Sequence, residues 1–242
     1  MNNIGDETLS RNSDRNFPFL LFACDSSILI KAGEGISVKC HNEVFRIFNL
    51  LSSKKIDGML TIHPAYNSVL VTFDPVKVNP HYMFDKLQDI LNDTSSVQLP
   101  ERRRIEIPVC YENEFAPDIH DVANLRNLTV NEVISYHANP EYLVYFLGFS
   151  PGFPYLGNMP KEISASRLKT PRIKIPAGSV AIGGNQTGIY PIASPGGWRI
   201  IGRTPLKLFS IGNDPPVLLK MGDKIKFVPI TKDEFEKGSK KE

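Results

Sequence analysis

Hydrophobic residues recur along this chain with two periods, and the switches between them mark out the elements. Val44, Ile47, Phe48 and Leu51 fall at i, i+3, i+4 and i+7, which predicts a helix over residues 41–54 with one apolar face. Met83, Leu87, Ile90 and Leu91 repeat the pattern in a second helix that starts near Pro80. Residues 17–24, 28–31, 56–63 and 69–73 are short apolar runs of strand composition, the last two joined by the turn-prone Pro64-Ala65-Tyr66-Asn67-Ser68. Strands alternating with two helices predict a small α+β sandwich, ferredoxin-like in outline, over residues 17–98. Residues 1–16 are expected as a flexible leader, and residues 99–104, which include Arg102, Arg103 and Arg104, as a solvated linker.

The second half reads differently. A strand is expected at 105–110 and a short helix at 117–126, and Thr129 and Glu132 stand at capping-box spacing ahead of a helix reaching His137. Beyond Glu141 come short β runs at 142–146, 179–182, 189–192, 198–201, 206–210 and 224–228. Eleven of the 17 glycines fall between Gly148 and Gly212, so the turns are tight, and residues 105–230 are expected to form a barrel or sandwich. Residues 231–242 mix both charges and are expected to fray.

Composition narrows the class without naming a function. Lys plus Arg (28) against Asp plus Glu (26) leaves +2 over 242 residues, too little to draw the whole surface to nucleic acid or to a membrane. The apolar run at Phe17–Cys24 is half of what a span requires, and the protein is expected in the cytoplasm. Cys24, Cys40 and Cys110 have no metal-ligand spacing and are expected as buried free thiols. His41, His63, His81, His120 and His137 never pair at metal-ligand spacing, so no metal is assigned.

Gly148-Phe-Ser-Pro-Gly152 fits the G-x-S-x-G pattern of a hydrolase nucleophile, but the residue after Ser150 is Pro151, which has no N–H to give an oxyanion. Ser166-Arg-Leu-Lys169 lacks the companion elements of an S-x-x-K enzyme. Gly183-Gly-Asn-Gln-Thr-Gly188 lacks the lysine of a phosphate loop and reads equally as a hairpin between strands or as a ligand contact. The strongest signal is charge: residues 163–213 contain no acid and seven bases, Arg167, Lys169, Arg172, Lys174, Arg199, Arg203 and Lys207. Arginines beside glycine turns suit a carboxylate or phosphate, because a guanidinium grips either with two parallel bonds. Aromatic residues Phe149, Phe153, Tyr155 and Trp198 accompany them as core or as a groove.

Three stretches, Phe146-Leu-Gly-Phe-Ser-Pro-Gly-Phe-Pro-Tyr-Leu-Gly157, Thr170-Pro-Arg-Ile-Lys-Ile-Pro-Ala-Gly-Ser-Val-Ala-Ile-Gly-Gly-Asn-Gln-Thr-Gly-Ile-Tyr-Pro191 and Ser194-Pro-Gly-Gly-Trp-Arg-Ile-Ile-Gly-Arg-Thr-Pro205, closely resemble the family of 5-oxoprolinase B subunits. That family is also called allophanate hydrolase subunit 1 and includes a sporulation-kinase inhibitor. The resemblance runs from about Phe17 to Pro229. It departs at Cys24-Asp25-Ser26-Ser27, where Gly-Asp-x-Ala is expected, and at Ser166-Arg167, where Pro-Arg is expected. It implies a cyclophilin-like β-barrel as the second domain and a role beside the A and C subunits, with C the tight partner, in opening 5-oxo-L-proline to L-glutamate with ATP hydrolysis to ADP and phosphate. ATP would be shared with those subunits, this chain would be inactive alone, and no biotin would be attached to it. On that reading Arg172, Lys174, Gly183, Gly184, Gln186, Thr187, Gly196, Gly197, Arg199 and Arg203 line either a substrate or anion site or the interface with the C subunit. No catalytic base or nucleophile is assigned. Two alternatives stay open: inhibition of a sensor histidine kinase by docking an aromatic groove on its dimerisation helices, and half of a urea or allophanate carboxyltransferase.

Overall fold

A computed structural model describes residues 16–93 and 98–239. The leader expected at 1–16 lies outside these except for Asn16, as do residues 240–242 of the tail. The chain divides into two compact units, residues 1–99 and 100–242.

The first unit contains β1 (Phe19–Cys24), β2 (Ser27–Lys31), α1 (Val38–Ser52), β3 (Met59–Pro64), β4 (Ser68–Phe73) and α2 (Pro80–Asn92). The helices start where side chains satisfy their first N–H groups. Ser37 Oγ accepts from the Cys40 N–H, and Asn79 Oδ1 accepts from the His81 N–H with Pro80 in the first turn. Val44, Ile47 and Leu51 are buried on α1, and Met83, Leu87 and Leu91 on α2. On the sheet Ile28, Ile30, Val69, Val71 and Phe73 are buried at every second position. All strands are antiparallel in the order β1-β2-β4-β3. Two hairpins, each followed by a helix, give ββαββα, so the ferredoxin-like expectation, which requires βαββαβ, is corrected.

The second unit contains β5 (Arg104–Cys110), α3 (Ile119–Arg126), α4 (Val130–Ala138), β6 (Glu141–Leu147), β7 (Pro154–Gly157), β8 (Arg172–Ile175), β9 (Ser179–Gly183), β10 (Gln186–Ile189), β11 (Ser194–Gly196), β12 (Arg199–Arg203), β13 (Lys224–Ile230) and α5 (Lys232–Ser239). Seven strands close into a barrel in the order β10-β7-β6-β13-β5-β12-β9, while β8 and β11 form a separate ribbon. Closure leaves no unpaired barrel edge. Thr129 and Glu132 make the expected capping box.

Alternation along the barrel strands sorts side chains into two cores. Val180, Ile182 and Ile201 point inward with Ile107, Val144, Leu156 and Phe227, whereas Ala181 and Ile200 join Phe153, Ile175, Tyr190 and Trp198 in a second, smaller cluster.

Four local expectations change. The strand expected at 189–192 ends at Ile189, because the hairpin turn after β9 is short and starts β10 at Gln186. Residues 206–210 form no strand, only a bridge from Phe209 to Val217. The frayed tail is a helix from 232 to 239, held by Phe235 against Phe115 with ring centroids 4.4 Å apart. The arginine linker is not simply solvated, because Arg103 forms a bidentate pair with the buried carboxylate of Asp223.

Candidate functional site

The smaller core brings together the aromatic residues singled out in the sequence, with Phe153 and Trp198 buried as packing rather than open as a groove. Phe153 packs in one cluster with Ala181 of β9 and Ile200 of β12, and stands edge-on to Tyr190 (5.2 Å), Tyr155 (5.0 Å) and Trp198 (5.6 Å). Gly183 is required here, since a Cβ would come within 2.5 Å of the Trp198 ring. Gly196 is required likewise, because the Tyr190 hydroxyl and Ile175 occupy the space a side chain would take. Phe149 stands over this cluster edge-on to Phe153, 63% exposed and at φ +65°, a backbone conformation that costs a bulky residue energy. Its ring meets Phe153 and Tyr190 edge-on at 5.5 and 6.2 Å while the rest of the side chain stays exposed. Arg167 lies over Trp198 at 5.7 Å. Burial pushes the Tyr155 and Tyr190 phenols up, with Arg167 partly opposing the rise at both.

The cations singled out by the acid-free stretch do not converge. Arg172 donates both terminal amino groups to Asp118, at 2.8 and 2.6 Å, and Asp118 also accepts from the Ile200 N–H at 2.7 Å. The Asp118 hydrogen bonds hold the Arg172 guanidinium above its ordinary pKa. Arg199 donates to the Ser166 carbonyl and pairs with Asp121 at 3.2 Å. Both carboxylates come from the start of α3, outside the acid-free stretch. Lys174 is exposed on the ribbon beside Ile173. Arg203 lies elsewhere, at the far end of β12, where its Nε–H donates to the Ala177 carbonyl and its guanidinium lies over Phe235.

The glycine-rich segment is a hairpin: Gly183 ends β9, Gly184 turns at φ +65°, and Gln186 opens β10. Gly197 has only ordinary contacts around it, with Pro171 nearest. Thr187 faces the barrel interior, where a buried network that the sequence did not signal becomes visible. The Thr187 hydroxyl donates to the Ala181 carbonyl, so His137 Nε2 must carry the proton it gives to Thr187 at 3.0 Å. His137 Nδ1 is then the acceptor for the Tyr111 hydroxyl at 2.8 Å. Burial pushes the His137 pKa down to about 3, so it stays neutral. The signal available in the sequence was a lone histidine at the end of a capped helix, which carries no information about what the barrel closes around it.

Other expected features resolve simply. Cys40 and Cys110 are buried thiols, but Cys24 is exposed, because it ends β1 at a tight turn. Ser150 sits in the loop between β6 and β7, without the strand-to-helix turn of a nucleophile elbow. Among the described residues no cluster of His, Cys, Asp and Glu suits a metal ion, and no helix is long and apolar enough to cross a membrane. In the first unit a cavity of about 1010 Å³ is lined by opposed charges, Glu34 and Glu43 against Lys39 and Arg46.

Residues 19–219 match the family described as "Carboxyltransferase domain, subdomain C and D". Over 221 residues the chain is 42% identical to the 5-oxoprolinase B subunit of Bacillus subtilis (strain 168), covering 87% of this chain and 92% of that protein. It is 36% identical to the protein of the same name from Escherichia coli O157:H7, covering 85% and 93%. Among solved structures it resembles TTHA0988, with a TM-score of 0.75 and 31% identity over 84% of this chain, and spans 40% of that longer chain. It also resembles PH0987 from Pyrococcus horikoshii, 43% identical with a TM-score of 0.54, over 90% of this chain and all of that one. With a family match over residues 19–219, which spans both units, and relatives 42% and 36% identical over most of their length, the chain belongs to the family of 5-oxoprolinase B subunits.

Proposed function

We propose that this chain is the B subunit of a multi-chain, ATP-dependent 5-oxoprolinase that opens 5-oxo-L-proline to L-glutamate, working with the A and C subunits and inactive alone. The observation that carries the reading is the 42% identity over nearly the whole length of the Bacillus subtilis relative. The chemistry explains why several chains are needed. A lactam resists water because amide resonance must be broken. Phosphoryl transfer from ATP to the amide oxygen releases ADP and makes the carbon electrophilic; one water then adds and the C–N bond breaks to free the amine and leave an acyl phosphate, which a second water splits into the carboxylate and phosphate. Such a centre needs cations and N–H donors for both a carboxylate and a phosphoryl group. ATP is shared with the partner subunits, since this sequence has no nucleotide-binding motif. The barrel is read as cyclophilin-like, without any claim of isomerase activity.

Two of the candidate arginines already have carboxylate partners, which favours an organising role for Arg172 and Arg199 over direct anion contact. Phe149 is the residue assigned to the contact with the C subunit, because an exposed aromatic anchor suits an interface hot spot. Mixing this chain with its candidate C subunit should give a stable complex in light scattering, and Phe149→Ala should weaken it at least tenfold, about 1.4 kcal/mol. A complex of unchanged affinity would remove Phe149 from the interface. The same exposed aromatic is what favours the second reading, inhibition of a sensor histidine kinase, which predicts loss of kinase autophosphorylation on adding this chain alone.

A further inference from the structure

We propose that the recess beneath Arg203 is a binding site for a small organic carboxylate, separate from the outer aromatic cluster. The recess has a volume of about 240 Å³, or about eight water molecules at ~30 Å³ each, enough for a carboxylate on a small body but not for a nucleotide. Among the described residues two bases, Arg203 and Lys207, line it and no acid does. Arg203 is half-buried, and its guanidinium spends only Nε–H on the protein, donating 2.8 Å to the Ala177 carbonyl. Among the described residues its two terminal amino groups have no carboxylate or carbonyl partner, unlike Arg103, Arg172 and Arg199, each of which pairs with an aspartate. Burial accordingly lowers the Arg203 pKa with no acid to offset it.

A half-buried cation without a counter-ion is a cost to the fold unless something supplies the anion. The contact of Arg203 with the face of Phe235, 5.9 Å from guanidinium carbon to ring centroid, offsets part of that cost, and the two terminal amino groups are the donors left for a carboxylate. Backbone groups decide between anions. The Gly178 N–H donates to the Tyr190 carbonyl and the Thr204 N–H to the Gly178 carbonyl, so these amides are not free to cradle a phosphate. What remains is the Arg203 guanidinium, with Lys207 in the same lining and apolar residues Pro191, Pro205 and Phe235 around it, which suits a carboxylate on a small body. Gly178 shapes the recess: at φ +80° it lets the chain turn where a Cβ would strike the Thr204 carbonyl. This inference deepens the 5-oxoprolinase reading, and rests on it only for the identity of the acid.

The test is a titration of the full chain alone with sodium acetate, with 5-oxo-L-proline and with inorganic phosphate, following the arginine Nε–H signals by NMR. The carboxylates should shift the Arg203 Nε–H saturably, with Kd on the order of 1 mM. Arg203→Gln should weaken binding at least tenfold and Arg126→Gln, on the surface, should not. If Arg203→Gln fails to fold, Lys207→Glu, at an exposed position of the same recess, should still weaken carboxylate binding severalfold. No shift at Arg203, unchanged binding in the folded variants, or tighter binding of phosphate would each overturn the proposal. An active assembly built with a chain that binds no carboxylate would sink this site alone, whereas carboxylate binding with an inactive assembly would sink the 5-oxoprolinase reading alone.

Discussion

Replacing Arg172 by methionine separates an organising arginine from a substrate-binding one. The side chain of Asp118 is 4% exposed, and it receives two charge-assisted bonds from Arg172 and one from the Ile200 N–H. Arg172→Met removes the first two and leaves a buried carboxylate with a single donor. Breaking a buried pair from one side costs about 3–5 kcal/mol. Arg172 is 31% exposed, so water recovers part of this, and the expected loss is about 2–4 kcal/mol. For a unit of this size that lowers the thermal midpoint by about 6–12 °C. Guanidinium unfolding read by Trp198, the single tryptophan, measures it directly, since Trp198 lies in the core that Ile200 joins. Arg172→Lys should recover only part, because an ammonium cannot bridge both carboxylate oxygens. The double change Asp118→Asn with Arg172→Met should be milder than Arg172→Met alone. A loss under about 1 kcal/mol for Arg172→Met, with activity of the assembled enzyme abolished, would refute the organising role and return Arg172 to the anion site.

Further outcomes follow from the barrel. His137 is depressed to about 3 in the folded state against 6.5 unfolded, so the unfolded chain binds the extra proton. Its contribution is therefore complete above pH 6.5 and lost as pH falls toward 3, at about 1.4 kcal/mol per pH unit. His137→Gln should flatten that slope in denaturation series between pH 4 and 6, and an unchanged slope would contradict the neutral network. Thr187→Val leaves His137 Nε2–H without an acceptor and should destabilise by about 1–3 kcal/mol, while Thr187→Ser, keeping the hydroxyl, should cost less. Gly183→Ala forces a methyl against Trp198 and should destabilise by about 1–3 kcal/mol with a shift in tryptophan emission; wild-type stability and spectrum would show the contact to be slack.

What the sequence disclosed was local. The periodicity of Val44, Ile47 and Leu51, the capping pair Thr129 and Glu132, and the hairpin at Gly183–Gly188 all depend on neighbours a few residues away, and the structure has each. What it hid was long-range. The barrel closes by pairing Lys224 with Arg104, and no pattern in either strand specifies the other. Residues 163–213 looked like an anion site because their counter-ions, Asp118 and Asp121, are supplied by a helix that folds back from earlier in the chain. Arg203, in the same stretch, received no such partner, and only the folded chain separates it from its neighbours. Some glycines that suggested ligand contact, Gly183 and Gly196, prove to be where aromatic rings press on the backbone. The tail looked frayed because its one apolar anchor, Phe235, stands among charges, and its partner Phe115 is far away in sequence.

The most direct test of the account is 5-oxo-L-proline-dependent ATP hydrolysis and glutamate release by this chain with its candidate A and C subunits, each omitted in turn. Activity is expected in the full mixture and none when any one subunit, this chain included, is left out. Full activity without this chain, or no activity in a mixture where it forms a stable complex with the C subunit, would contradict it.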